Sequence, residues 1–127
     1  MPTPFKQALT ISVDGLRSGA AFIADREILA IQFDANLTGT FFYLEGASIA
    51  DRSGSAGNQP ANASFVEIFD STGTRVQFTR YASKVVVLTE AQRNHFNNGA
   101  HYVRIVSSEP QVTNAAVITL IGKSLYQ

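Results

Sequence analysis

Apolar residues along this chain fall into short runs separated by turn-forming residues. The runs at 28–33, 40–44, 65–69, 76–78, 85–88, 102–106 and 117–121 are rich in the β-branched and aromatic residues that suit a pleated, half-buried surface. Residues 8–13 alternate Leu9, Ile11 and Val13 with Thr10 and Ser12, the period-two signature of a strand with one buried face. Leu29, Ile31 and Phe33 alternate in the same way, which places Ala30, Gln32 and Asp34 on the outward side. Phe41 and Phe42 then point to opposite faces, so one of them has to meet something other than water. Asp70-Ser71-Thr72-Gly73 between two apolar runs reads as a β-hairpin, with the glycine supplying the positive φ that the turn needs. Roughly eight strands at a spacing of about 8–12 residues predict one all-β domain over residues 1–127, an antiparallel sandwich or jelly roll.

Four segments depart from simple alternation. Residues 1–7 carry Pro2 and Pro4, which fix φ and remove backbone donors, and read as an extended N-terminal arm with Phe5 as its apolar anchor. Residues 51–63 hold no large apolar side chain and read as a long polar surface loop, of a length that is either functional or mobile. Val85-Val86-Val87-Leu88 is apolar on both faces, as in a central strand covered on each side or in a strand abutting a partner. Thr89-Glu90-Ala91-Gln92 caps a single short helical turn running to about Phe96, ended by Asn97-Asn98-Gly99.

Composition removes whole classes of function. Ten basic and ten acidic residues balance with no run of one sign, which argues against binding nucleic acid through its phosphates. With no cysteine in the chain, disulfides, thiol nucleophiles and cysteine metal sites are excluded, and nine phenylalanines supply a core without them. There is no apolar stretch long enough to span a membrane and no secretory signal pattern at the start, so the sequons at Asn36 and Asn62 read as chance. His95 and His101 have no companion ligands at zinc spacing. Ser53-Gly54-Ser55-Ala56-Gly57 lacks the first glycine of a nucleophile elbow, and no lysine follows it to make a phosphate loop. Glu45, Asp51, Glu67, Asp70 and Glu90 sit in separate strands or turns, which leaves no evident acid–base pair. The expectation is a binding protein that is not an enzyme and takes no cofactor. Arg104 stands between Val103 and Ile105 on a core-facing strand, so it projects to the opposite face, where it should meet a carboxylate or a carbonyl.

Ile68-Phe69-Asp70-Ser71-Thr72-Gly73, then Tyr102-Val103-Arg104-Ile105-Val106-Ser107, then Asn114-Ala115-Ala116-Val117-Ile118-Thr119-Leu120 resemble, in that order, a group of small β-sandwich virion proteins of tailed bacteriophages. The likeness spans about residues 8–124, with residues 51–63 as an insertion. It implies a capsid decoration or cement protein on the capsid exterior that clamps the major capsid protein or other virion proteins, as a dimer or trimer. A neck, tail or fibre adaptor has the same composition. A carbohydrate-binding sandwich is a third reading, although tryptophan, the usual sugar platform, is absent. The expected attachment residues are Pro2, Pro4, Phe5 and Lys6 of the arm, Arg52, Asn58 and Gln59 of the loop, and the strand aromatics Phe41, Tyr43 and Tyr102.

Overall fold

The computed structural model of the chain describes residues 3–48, 60–96 and 101–125. Within them, β1 (Pro4–Ile11), β3 (Arg26–Phe33), β7 (Val85–Val87) and β9 (Ala116–Ser124) form one sheet in the order β1-β9-β3-β7. The second sheet runs β2 (Ala21–Phe22), β8 (Tyr102–Ser107), β4 (Phe41–Ala47), β5 (Val66–Glu67), and β6 (Gln77–Thr79) also pairs with β4. All strand pairs are antiparallel. β5 and β6 lie end to end along the same side of β4, at Glu45–Gly46 and at Phe41–Tyr43, and so act as one edge strand interrupted by residues 68–76. Counted that way, successive strands change sheet except at β4, which is followed in its own sheet by the β5–β6 edge; the last strand pairs with the first, and the architecture is an eight-stranded jelly roll. The all-β sandwich expected from the sequence is the fold observed.

The inward faces meet in one core. Leu9, Ile11, Ile28, Ile31, Phe33, Ile118 and Leu120 from the first sheet pack on Phe42, Leu44, Phe78, Val103 and Ile105 from the second. Phe33, Phe42, Phe78 and Phe96 form a chain of ring contacts across it, with successive centroids 5.3, 5.2 and 5.6 Å apart. The alternation in β3 differs from expectation at one residue. Its register against β9 slips between Ile28 and Ala30, so Leu29 is an extra, bulged residue and Ile28 rather than Leu29 faces the core. Gly122 lies opposite this bulge. A Cβ there would sit 1.9 Å from the Glu27 carbonyl oxygen, so only glycine lets the two backbones approach.

Both edges of the first sheet correct the sequence reading. Pro4 to Gln7 are not a free arm: they begin β1 and pair residue by residue with β9, from Pro4 opposite Lys123 to Ile11 opposite Ala116. Proline is tolerated as the first residue of an edge strand because no ladder partner there needs its missing N–H. Phe5 packs against this domain's own core, with the Arg26 guanidinium 4.9 Å from its ring centre. At the other edge, β7 pairs only with β3, so 85–88 is not a central strand. The helical turn is present as α1 (Glu90–Phe96). Thr89 and Gln92 cap it reciprocally: the Gln92 amide donates to Thr89 Oγ1 at 3.2 Å and the Thr89 amide to Gln92 Oε1 at 2.9 Å. The expected stop at 97–99 lies outside the described residues.

Candidate functional site

The two outer faces of the sandwich are built differently. On the second sheet, Tyr102, Arg104 and Val106 of β8 all point outward, yet they are only 4, 8 and 0 % exposed. Asn62 of the 3₁₀ turn Asn62–Ser64 and Phe65 just after it contact Arg104, and Phe65 packs with Tyr102. Arg104 Nε donates to Glu45 Oε1 at 2.6 Å across the β4–β8 pair, its NH1 donates to Asn62 Oδ1, and its guanidinium stacks 4.3 Å from the Phe65 ring centre. Arg17 Nε reaches the same Glu45 oxygen from outside at 3.2 Å, and that hydrogen bond, more than the bare charge, raises the Arg17 pKa. Arg104 therefore meets the carboxylate expected of it, as a structural pair buried under residues 62–65. Tyr102 packs edge-on against Phe22, with centroids 5.1 Å apart, and lies in a small satellite cluster with Ala47 and Phe65. It is unavailable for docking, contrary to the sequence reading, because the segment after the polar loop covers it.

The interruption between β5 and β6 projects as a hairpin finger. The Phe69–Arg75 bridge and the Val76 amide bonding to the Ile68 carbonyl close its base, and Gly73 takes the expected positive φ of 84°. Asp70 Oδ1 organises the tip, accepting from the Thr72 hydroxyl at 2.6 Å and from the Thr72 and Thr74 amides at 2.9 and 3.0 Å. The Thr72 hydroxyl first, then the backbone amides, hold the Asp70 carboxyl below its ordinary pKa. From the finger, Arg75 folds back over the sheet, 4.0 Å from the Tyr43 ring centre and 5.7 Å from that of Phe41, and pairs with Glu67 at 3.6 Å. Phe41 and Tyr43 are thus half-buried beneath an arginine rather than presented as open apolar platforms.

The first sheet presents the open face. Strand register aligns its outward residues in rows, Val87–Ala30–Ile121–Lys6 and Val85–Gln32–Thr119–Ala8, with Val117 and Thr10 side by side beyond. Val85 and Val87 are 56 and 76 % exposed, Ala8, Thr10 and Gln32 are exposed, and Val117, Thr119 and Ile121 are half-exposed. Lys6 supplies the charge at one border of these rows, and Lys123 and Glu27 lie beyond it. The result is a surface in which β-branched residues of β7, β9 and β1 flank Ala30 and Gln32 of β3, carried on a four-stranded sheet.

Of the expected attachment residues, Pro4 and Lys6 are exposed on β1, Phe5 is turned into the core, Phe41 and Tyr43 lie under Arg75, and Tyr102 is buried. Pro2, Arg52, Asn58 and Gln59 lie outside the described residues. These positions are not brought together into one surface. Sequence reasoning did not assemble the open face, although its clearest trace, valines on both sides of 85–87, was visible. Among the described residues no group of three or more His, Cys, Asp or Glu side chains is arranged to hold a metal ion, and no helix is long and apolar enough to cross a membrane. No family model matches the chain, and no curated protein matches its sequence.

Proposed function

We propose that this protein is a non-catalytic structural module that docks onto other proteins through the outer face of its first sheet, and that its role is that of a decoration protein on the head of a tailed bacteriophage. The observation that carries docking is the row structure of that face: exposed or half-exposed β-branched residues of β7, β9 and β1, with Gln32 of β3 among them and Lys6 at one border. Contiguous exposed apolar surface of this kind marks protein interaction sites more often than it occurs idly. The partner class comes from the resemblance of residues 68–73, 102–107 and 114–120 to phage virion proteins. Repetition of the partner on a capsid lattice would let a modest contact hold through avidity.

The test is co-sedimentation of the purified protein with expanded capsids made from the major capsid protein of the same genome. Val117→Lys and Thr119→Lys place charges on the outward side of β9, an inner strand of the sheet, without touching the core. Loss of co-sedimentation in these variants, with unchanged melting, supports the reading. Undiminished binding in both variants would remove the face from the docking role, and failure of the unmodified protein to sediment with capsids would remove the decoration role.

A further inference from the structure

Among the described residues nothing pairs with the outer edge of β7, which has the geometry of a self-complementary strand, and we propose that two copies of this chain pair across it, joining their first sheets into one continuous eight-stranded sheet. The Phe33 amide donates to the Lys84 carbonyl and the Leu88 amide to the Leu29 carbonyl, both at 2.9 Å, while Val86 stands opposite Ile31. Lys84, Val86 and Leu88 therefore spend their backbone groups on β3. By the alternation of an antiparallel ladder, the N–H and C=O groups of Val85 and Val87 point away from the sheet.

A second copy related by a two-fold axis through Val86 meets these groups in register. Val85 faces Val87 of the second copy, and Val87 faces its Val85. Each such pair exchanges both of its backbone hydrogen bonds, and Val86 meets its own counterpart in the closer, non-bonded pairing. An off-centre antiparallel register would pair fewer of the outward groups of Val85 and Val87 within the strand, and a parallel arrangement has no two-fold axis. The contact is isologous, as closed dimers require.

Two neighbouring features fit the same occupant. On the outer side, the exposed Val85 and Val87 of one copy lie against those of the other, a β-branched cross-strand cluster. On the inner side, Val86 of the second copy arrives beside a cavity of about 150 Å³ lined from both sheets and α1, including Ile31, Phe33, Phe78, Leu88 and Gln92. The devices that usually block an edge, a proline, a bulge or an inward charge, are absent from Val85-Val86-Val87, and only shortness limits it. A three-residue pairing covers less than the roughly 800 Å² per partner of a standard interface. The pair is therefore expected to be weak in dilute solution and to fill as concentration rises. It does not depend on what the outer face binds.

Sedimentation velocity from about 10 μM to 1 mM, joined to residue-resolved amide exchange, tests the pairing. The expected result is a weight-average mass rising from one chain towards two, with Val85 and Val87 amides becoming protected as it rises while the Val86 amide is protected throughout. Val87→Pro removes a donor that β3 does not use, so the variant should keep its melting temperature within a few degrees and remain a monomer at every concentration. Val85→Pro should behave alike and guards against a local fault in either variant. A wild-type mass of one chain up to 1 mM, with Val85 and Val87 amides in fast exchange, overturns the proposal. So does a dimer that persists in both folded proline variants. Because Val117→Lys and Thr119→Lys lie away from this edge, a failure of capsid docking and a failure of pairing are read separately.

Discussion

Replacing Arg104 by methionine removes the cation from a carboxylate that cannot leave. Glu45 is 5 % exposed and lies directly opposite Arg104 on β4. Without Arg104 its remaining cation among the described residues is Arg17, whose side chain is 45 % exposed and whose second contact, from NH2, is 3.5 Å long. Breaking a buried pair from one side costs about 3–5 kcal/mol, and the surviving Arg17 contact favours the low end, about 3 kcal/mol. An unfolding entropy of roughly 2.1 cal/mol/K per residue over 127 residues is about 0.27 kcal/mol/K, so the melting temperature should fall by about 11 °C. Removing both charges tests the cause. Glu45→Leu combined with Arg104→Met leaves no stranded carboxylate, and the pair is expected to return to within about 1 kcal/mol of the native protein. Arg104→Lys should fall between, since an ammonium lacks the planar fork that reaches Glu45 and Asn62 while stacking on Phe65. Thermal and urea melts of the four proteins measure this directly. A fall of less than about 3 °C in Arg104→Met, or a double variant no more stable than the single one, would refute a buried pair held by desolvation.

Gly122→Ala should lower stability by about 2–3 kcal/mol, because the new methyl meets backbone rather than a side chain that can turn aside; a melt within 2 °C of the native protein would contradict the close approach at the β3 bulge. Gln111 is fully buried and its amide clasps the Thr38 backbone, accepting from the N–H at 2.7 Å and donating to the carbonyl at 3.1 Å. Gln111→Leu keeps the bulk but strands those groups, for an expected loss of about 1–3 kcal/mol in urea unfolding. The lowered Asp70 pKa has a definite sign: the finger is supported at pH values above the carboxyl's unfolded pKa and loses that support as pH falls through the lower, folded value. NMR titration should show the Thr72 and Thr74 amides shifting together with Asp70 in the acid range, and Asp70→Asn should abolish that transition.

Several elements were legible because local chemistry and tertiary demand agree. Asp70 to Gly73 made its turn, Thr89 and Gln92 made their capping box, and the outward projection of Arg104 followed from Val103 and Ile105 being core residues. Where competing local readings existed, the sequence misled. Pro2 and Pro4 suggested an arm, yet an edge strand tolerates a proline at its first residue, and Phe5 gains a core contact by pairing. Ile28 and Leu29 are equally apolar, so nothing local marks which of them the bulge turns outward. Whether a run of valines is central or marginal depends on which strands lie beside it, and that is a property of the strand order, set by residues far away in the chain.

The proposed docking face was hidden for the same reason. The sequence places aromatic side chains on outward faces correctly at Phe41, Tyr43 and Tyr102, and aromatic residues are the natural first guess for contact. The structure covers each of them: Arg75 lies over Phe41 and Tyr43, and the segment held by Asn62 and Phe65 closes over the sheet beside Tyr102. Coverage of the second sheet is thus supplied by its own long connections, residues 60–65 and the finger at 69–75. The first sheet receives no such cover over Val85, Val87 and Gln32, and its outward residues are small and β-branched, unremarkable one at a time. They become a surface only when β1, β9, β3 and β7 bring Ala8, Thr119, Gln32 and Val85 into one row, residues separated by most of the length of the chain. The two halves of the sandwich are therefore unlike: the second sheet ties its outward polar groups into internal contacts, and the first leaves the β-branched residues of β7 and β9 exposed or half-exposed, which is the ground for the proposed docking face.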